Sequence, residues 1–414
     1  MNDNRTGSVR PTMLSRRNAL RLAAAAAPLV ALGASSMPAW ASARTQPVRA
    51  AATTTGAGVS VINALAYNSD ERPTGETYFP IEDLGVGNNI QAALNKVAKL
   101  AAAPTLTLPA GVFEAIGFSQ SADYIGILIP PNVSLIGSGR DTILRVRPDT
   151  VTAAQVQRWV PPTYPLGTTN GLQVIRAARG SIPITLSNFT VDGTVQRPAG
   201  SSTKTLYNGL VLANCPSPTL SNLLVRGIPG NLNSPPGETF SINILGGSGA
   251  SFYNVEVDGR DAVTGTKIAG CGVGINSTSN VVMYDCNLHD MGYSHGISFW
   301  QSTDVTTYNL RSEFNGVGRE NGGGGGTSGT GINSEKSRNT VHFAPRLGGN
   351  SLSSMRYWGS PLSSTDARSG DTGGHRVVNA VLTDGKPFVV RLDRAQATRP
   401  LLTSCPTPVW DRRP

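Results

Sequence analysis

A short pattern of small, apolar and polar positions recurs along the second half of the chain. Each copy starts at a small residue, and the starts are 32, 33, 22 and 35 positions apart: Gly209, Ser241, Gly274, Gly296 and Gly331. The residue after each start is apolar: Leu210, Ile242, Ile275, Ile297 and Ile332. Side chains of a strand alternate between its two faces, so this column marks a buried face. Repetition at such a period predicts a solenoid built of short strands.

The opposite face of these strands is predicted to be polar and to form a wet, grooved wall. Its first column reads Val211, Asn243, Asn276, Ser298 and Asn333, and its second column ends in Trp300 and Glu335. Amides and hydroxyls can bind a polar ligand, and a tryptophan can stack on a ring. We therefore take Asn243, Asn276, Ser298, Trp300 and Asn333 as candidate ligand-binding residues. The alternative is that the asparagines form a ladder or hold turns and that Trp300 covers a loop.

A second segment repeats between these strands with its own matching columns. Its copies are 186–191, 220–225, 252–257 and 283–288, and the third position of each copy is Asn or Asp. Like residues in matching columns predict parallel strands stacked about 4.8 Å apart. An antiparallel sandwich would instead show hairpin turns between its strands. The sequence therefore predicts an all-β fold, a parallel β-helix with two or three strands per turn.

The chain outside the repeats divides into segments of different character. Apolar residues at 90, 94, 97 and 101 have helical spacing, which predicts a short helix that caps the N-terminal end of the bore. We predict a linker over 44–80, the β-helix over 81–350, loops at 148–182 and 226–239, and a mobile or disordered glycine run at 322–326. After residue 350 the repeat fades, and we predict an irregular tail over 351–414.

Residues 1–43 have the features of an export signal. A twin arginine at Arg16 and Arg17 precedes an apolar stretch, and Ala41-Ser42-Ala43 has the form of a cleavage site. This predicts a secreted or extracytoplasmic protein exported by the twin-arginine route. No later segment reaches the roughly 18 apolar residues of a membrane span.

The net charge of +9 is concentrated at the two ends of the chain. Segment 1–43 has five arginines and one aspartate, the tail has nine basic and five acidic residues, and residues 44–350 are close to neutral. No basic stripe for nucleic acid is present.

The cysteines are Cys215, Cys271, Cys286 and Cys405, without the spacing of a zinc site. Cys271 and Cys286 could form a disulfide or remain buried thiols.

The N-terminal part of the repeat region resembles a known superfamily. The helix is followed by "LTLPAGVF" at 106–113 and "ILIPPNVSLIGSGRDTIL" at 127–144, a succession similar to the start of the pectate lyase-like β-helix superfamily. The resemblance covers roughly residues 75 to 345. It implies a right-handed parallel β-helix, and the superfamily includes secreted polysaccharide lyases, glycoside hydrolases and phage tailspikes. It thus implies a polysaccharide as partner, and we expect a monomer.

The densest group of titratable side chains suggests where chemistry could occur. Ser294-His295-Gly296-Ile297-Ser298 resembles the GHGxS motif of glycoside hydrolase family 28, which implies that His295 lies beside the reaction centre. With His289, Asp290 and Glu335 it forms our candidate catalytic set. By strict alternation, however, His295 would point inward like Ile297, as a structural histidine.

The aspartates of that hydrolase family have no counterpart here. The preceding copies, 240–243 and 273–276, contain no carboxylate, whereas an inverting hydrolase needs two carboxyl groups about 6.5–9.5 Å apart. The reaction therefore stays open between a lyase, a hydrolase and an epimerase, with a non-catalytic glycan-binding protein as the alternative. We predict no metal ligands and no cofactor, except that a lyase could use calcium.

Overall fold

The computed structural model describes residues 78–115, 117–120, 123–146, 171–193, 207–230, 239–316, 329–358, 373–393 and 397–413. All of them belong to the larger of two compact units, residues 52–414. The predicted export signal, most of the predicted linker and the glycine run at 322–326 lie outside the described residues.

The described chain is almost entirely made of short strands. A 3-10 helix, Ile81–Leu84, and one α-helix, α1 (Ile90–Val97), follow the first strand. The first strands are β1 Tyr78–Pro80, β2 Thr105–Leu108, β3 Gly111–Ala115, β4 Phe118–Gln120, β5 Asp123–Ile129, β6 Ser134–Gly137, β7 Thr142–Val146, β8 Gly171–Ala177, β9 Thr185–Ser187, β10 Thr190–Asp192, β11 Tyr207–Ala213, β12 Thr219–Ser221, β13 Leu224–Arg226, β14 Phe240–Leu245, β15 Ser251–Tyr253 and β16 Glu256–Asp258. The remaining strands are β17 Cys271–Asn276, β18 Ser279–Tyr284, β19 Asn287–His289, β20 Ile297–Trp300, β21 Thr303–Tyr308, β22 Arg311–Glu313, β23 Thr330–Glu335, β24 Arg338–Phe343, β25 Arg346–Gly348, β26 Ser353–Trp358, β27 Arg376–Val378, β28 Val381–Leu382, β29 Phe388–Asp393, β30 Leu401–Thr403 and β31 Pro408–Arg413.

The strands form three parallel sheets, and each full turn of the chain adds one strand to each sheet. Sheet A contains β1, β2, β6, β9, β12, β15, β18, β21, β24, β27 and β30. Sheet B contains β3, β7, β10, β13, β16, β19, β22, β25 and β28. Sheet C contains β4, β5, β8, β11, β14, β17, β20, β23, β26, β29 and β31, and only its β4–β5 pair is antiparallel among the described strands. The predicted right-handed parallel β-helix is confirmed.

The repeated Asn or Asp forms the corner between sheets A and B. Each residue in this column has a positive φ of 51–59°: Asn188, Asn222, Asn254, Asp285 and Asn309. Asn and Asp tolerate this left-handed conformation better than most residues. Asn222 donates to Asn188, and Asn254 to Asn222, each at 3.0 Å. The segment predicted as one strand is therefore two strands of different sheets, separated by this bend.

The bore is apolar at first and becomes polar in the later turns. The inward column of sheet A reads Leu106, Leu135, Leu186, Leu220, Phe252 and Met283, then Thr307 and His342. On sheet C the buried apolar column is confirmed, but its register differs at one copy. Ile242 pairs with Val273, not with Ile275, and Val273 pairs with Ile297. A shift of two residues keeps every side chain on its predicted face.

The predicted helix is confirmed. Asn89 caps α1, because its side-chain oxygen accepts a hydrogen bond from the amide of Ala92 at 3.0 Å. Ile90, Leu94 and Val97 are buried, and the helix packs against β2, β3 and β5.

Two segments that were predicted to lack strands contain them. Residues 171–177, inside the predicted loop at 148–182, form β8. Strands β26 to β31 extend all three sheets through the segment predicted as an irregular tail. The repeat is hard to recognise there because the Gly-Ile-Asn of the earlier copies is replaced by Ser354-Met355-Arg356 and Val389-Val390-Arg391. At the last turn the guanidinium of Arg399 lies 4.8 Å from the ring centre of Trp410.

All four cysteines are free thiols, so Cys271 and Cys286 are not joined. Burial raises the pKa of the Cys215 thiol to about 11 and that of Cys286 to about 12. Both therefore remain protonated and act as small apolar residues of the core. In the part of the chain that the structure describes, no helix is long and apolar enough to cross a membrane.

Candidate functional site

The outer face of sheet C carries two parallel rows of side chains in register. We call the first the amide row: Asn243, Gly274, Ser298, Asn333, Arg356 and Arg391. We call the second the tryptophan row: Leu245, Asn276, Trp300, Glu335, Trp358 and Asp393. All five candidate ligand-binding residues lie on this face. Asn276 belongs to the tryptophan row, not to the column in which the sequence alignment placed it.

The amides of this face bond to one another across the rungs. Asn276 donates to the side-chain oxygen of Asn243 at 2.7 Å, and Asn333 donates to the hydroxyl of Ser298 at 3.0 Å. Glycine is needed at 274, because a Cβ there would lie 2.5 Å from the ring of Phe240 and 3.0 Å from the amide nitrogen of Asn276. This missing side chain lets Asn276 reach Asn243 diagonally, and the expected asparagine ladder is present in part.

Several buried polar atoms on this face have no hydrogen-bond partner within the described protein. They are Thr239 Oγ1, Ser241 Oγ, Asn243 Nδ2, Trp300 Nε1 and Asn333 Oδ1. About nine in ten buried polar groups in proteins are paired. Donors and acceptors that remain unpaired at one place therefore indicate unused capacity to bind a group that both donates and accepts.

The face is not the wet wall that the sequence predicted. Asn243 is 0 % exposed, Asn333 1 % and Arg356 3 %. An arrangement of polar side chains that point outward and are nevertheless buried is unusual, because desolvated polar groups cost free energy unless they are paired. The amide row is therefore shielded from water, whereas Trp300, Glu335 and Trp358 of the tryptophan row are half-buried and reach the surface.

A buried charged group at the C-terminal end of the face was missed by the sequence prediction. Asp393 pairs through one oxygen with Nε of Arg356 and through the other with Nε of Arg391, the latter at 2.6 Å. The Arg356 guanidinium also lies 4.6 Å from the ring centre of Trp358. Two guanidinium groups share this carboxylate, and Asp411 of β31 lies beside Arg391 in register in the same row. The signal was available, since Met355-Arg356-Tyr357-Trp358 and Val390-Arg391-Leu392-Asp393 share one alternation.

His295 is buried, and it lies two residues before β20. Burial, with a smaller contribution from the charge of Arg356, lowers its pKa to about 3. The imidazole is therefore neutral at pH 7. Glu335 lies in the tryptophan row, in register between Trp300 and Trp358.

His289 and Asp290 lie elsewhere, in a cluster of charges on sheet B. His289 Nδ1 lies 2.9 Å from a carboxylate oxygen of Asp290, and His289 Nε2 lies 3.3 Å from Glu256. These hydrogen bonds raise the pKa of His289 in spite of its burial. The hydrogen bond from His289 and the ion pair with Arg140 lower the pKa of Glu256 to about 2. The structure thus brings His289 and Asp290 together on sheet B, while Glu335 faces outward from sheet C.

The same cluster could be mistaken for a metal site. Asp258, His289 and Asp290 each offer a ligand atom, and these atoms lie within 4.8 Å of one another. However, Asp258 already forms a two-point ion pair with Arg260, and Asp290 lies 3.1 Å from Lys267 Nζ. Calcium prefers six to eight oxygen ligands, so these residues do not fit it. We interpret the group as an ion-pair network.

Comparison with known proteins supports the fold and goes no further. No family model and no curated protein sequence matches the chain. Among solved structures, the chain is similar to PfbA, a surface adhesin of Streptococcus pneumoniae, with a TM-score of 0.50, 11% identity, and coverage of 79% of this chain and 77% of that one. It is also similar to an exopolygalacturonase from Thermotoga maritima (TM-score 0.45, 10% identity, 82% and 88% covered). The A-module of the mannuronan C-5 epimerase AlgE4 from Azotobacter vinelandii is a third similar structure (0.42, 13%, 81% and 97%).

The resemblance inferred from the sequence is therefore confirmed as one of fold. The protein is a right-handed parallel β-helix. Identities of this size leave its activity to be argued from its own residues.

Proposed function

We propose that the protein is an exported carbohydrate-active enzyme that holds a polysaccharide along the outer face of sheet C and cleaves it. The observation that carries this proposal is the set of unpaired buried donors and acceptors on that face, among them Asn243 Nδ2, Trp300 Nε1 and Asn333 Oδ1. Sugar hydroxyls donate and accept hydrogen bonds, so one kind of ligand satisfies all three atoms. The rows also repeat at every rung, which suits a linear polymer.

The charge of the face favours an acidic glycan over a neutral one. Arg356 and Arg391 share the single carboxylate of Asp393, and each guanidinium has further N–H donors beyond Nε. A carboxylate on the polymer would accept bidentate hydrogen bonds from these further donors.

Of the four candidate catalytic residues, we assign the chemistry to His295 and Glu335. His295 lies within the electrostatic influence of Arg356, and Glu335 lies between two tryptophans in register. Contact with water or with a polar ligand would raise the pKa of His295 towards its ordinary value of about 6.5, at which an imidazole can accept a proton. His289 and Asp290 would then only support the fold, because their charges are already paired.

The purified chain should be incubated with a panel of acidic and neutral polysaccharides. We expect new reducing ends, or the ultraviolet absorbance of an unsaturated product, with an acidic polymer. Glu335→Gln and His295→Gln should abolish product, whereas His289→Gln should retain it. Absence of product with every polymer would refute the enzyme proposal.

Binding is tested separately with Trp300→Phe, which removes Nε1 and keeps an aromatic ring. Because one hydrogen bond is lost, we expect a dissociation constant that is roughly two- to tenfold larger, as measured by calorimetry. Trp410→Phe, at the last turn, is the matched control and should bind like the parent chain.

A non-catalytic glycan-binding protein is the second candidate. It is favoured by the engagement of Asp393 with two arginines, because a carboxylate that is already paired is less available as an acid or a base. Saturable binding without product would establish it, and a chain that binds no glycan would exclude both candidates.

Export by the twin-arginine route is part of the proposal and rests on residues 1–43. Replacing Arg16 and Arg17 with lysine should retain the chain in the cytoplasm, whereas Arg10→Lys should not. Unimpaired export of the double variant would contradict the assignment.

A further inference from the structure

The bore contains a polar section in its later turns, at a place where such coils are otherwise filled with apolar side chains. Its inward side chains are Thr307, Thr340, His342 and His375 from the sheet A side and Ser334 and Tyr357 from sheet C. All of them are buried, and Thr307, Thr340, His342 and Tyr357 are 0 % exposed. This section, which we call the polar bore, takes no part in the function proposed above.

Contacts between these side chains show that they surround the same length of the bore. Thr307 Oγ1 lies 2.9 Å from His342 Nδ1, and Thr340 Oγ1 lies 2.8 Å from His375 Nδ1. The ring of Tyr357 lies 4.7 Å from that of His375. On the other side, Phe299, the register partner of Ser334, lies 5.8 Å from the ring of His342.

Three polar atoms of the polar bore have no hydrogen-bond partner within the described protein: Ser334 Oγ, His342 Nε2 and Tyr357 Oη. Ser334 and Tyr357 are register partners on sheet C, and His342 lies on sheet A. A buried hydroxyl or imidazole nitrogen without a partner is unfavourable, and such atoms are usually satisfied by ordered water. Three such atoms in one section of the bore therefore indicate a place where ordered water can bind.

We propose that the polar bore is an internal binding site for water, with at least one ordered molecule that bridges Ser334, His342 and Tyr357. Water fits because it donates and accepts at once, so it serves two hydroxyls and an imidazole nitrogen in either tautomer. A cation fits less well. The titratable neighbours that act on His342 and Tyr357 are His375 and Cys405, and neither is a carboxylate.

The sign of a stability change tests this proposal. Tyr357→Phe removes only Oη. If Oη bonds to water, its loss deprives the water of a partner and lowers the urea midpoint of unfolding. If the bore is dry, removing an unsatisfied hydroxyl raises the midpoint or leaves it unchanged, and the proposal fails.

Ser334→Ala should act in the same direction, and the double variant should lose less than the two single losses together, because both bond to shared water. Tyr308→Phe, on the outer surface of sheet A, is the matched control and should change the midpoint little. A high-resolution crystal structure supplies the direct observation. Water density within hydrogen-bonding distance of all three atoms supports the proposal, whereas an empty bore or an anomalous metal signal overturns it.

Discussion

The charged cluster of sheet B and the outer face of sheet C both carry polar side chains, but those on sheet B are paired and several of those on sheet C are not. On sheet B, His289, Asp290 and Glu256 are each matched by a neighbour of opposite charge. On sheet C, polar atoms such as Asn243 Nδ2 and Trp300 Nε1 are buried and unmatched. Density of titratable groups therefore does not by itself identify a site. Unpaired buried donors and acceptors distinguish the face of sheet C, which can bind a ligand, from the cluster of sheet B, which stabilises the fold.

The largest expected effect comes from removing the carboxylate that two buried arginines share. Asp393→Ala removes the carboxylate that Nε of Arg356 and Nε of Arg391 both bond to, and breaking a buried ion pair costs about 3–5 kcal/mol. We expect this loss in the free energy of unfolding from urea titration. An acidic glycan should restore part of the stability, and a neutral glycan should not. A loss below about 1 kcal/mol would show that the group is not buried in solution.

Acid should weaken the fold through the polar bore. Burial and the nearby His375 lower the pKa of His342 to about 3, whereas the unfolded chain takes up the proton near pH 6.5. The unfolded state therefore binds more protons between these values, and stability falls as the pH falls. The loss from this residue is about 2 kcal/mol at pH 5. His342→Gln should flatten the dependence, measured from urea midpoints at pH 7 and pH 5.

On sheet B the corresponding carboxylate substitution should matter less. Asp290→Ala leaves His289 bonded to Glu256 and Arg260 bonded to Asp258. Because the partners are redundant, we expect a loss of about 1 kcal/mol or less. Asp393→Ala should be measured in the same urea titration. Equal losses in the free energy of unfolding would contradict the expected difference between the two sheets.

The smallest effect should appear on the alkaline side. Hydrogen bonds to Glu256 and Asp290 raise the pKa of His289. The contribution of His289 to the stability of the fold is therefore complete below its pKa in the unfolded chain. It is lost as the pH rises through its pKa in the folded chain. His289→Gln should remove this decline between neutral and mildly alkaline pH. A decline that persists in the variant must come from another group.

The alternating pattern was sufficient to predict the coil, because Leu210, Ile242, Ile297 and Ile332 all face the bore. It could not fix the register at β17, where glycines at 272 and 274 both fit the small-residue position, so that only packing against Phe240 decides. The later turns escaped prediction because arginines replace the asparagine of the repeat at 356 and 391, although the inward residues still alternate.

The candidate site was predicted only in part. Asn243, Ser298, Trp300 and Asn333 share the expected face because side-chain alternation is local. The pairing of Glu256 with Arg140 and of Asp290 with Lys267 depends on other turns. In the sequence, the adjacent His289 and Asp290 suggested catalysis. In the folded chain, neighbouring groups of opposite charge neutralise them.

The asparagine corner has a consequence for how such a protein can change in size. Because Asn222 and Asn254 repeat the bend made by Asn188 and each donate one hydrogen bond to the turn before, these turns offer equivalent corners to their neighbours. Duplication or deletion of a whole turn would place equivalent corners next to each other. The proposed binding face can therefore be lengthened or shortened by one rung at a time while the hydrogen bonds at the corner are kept.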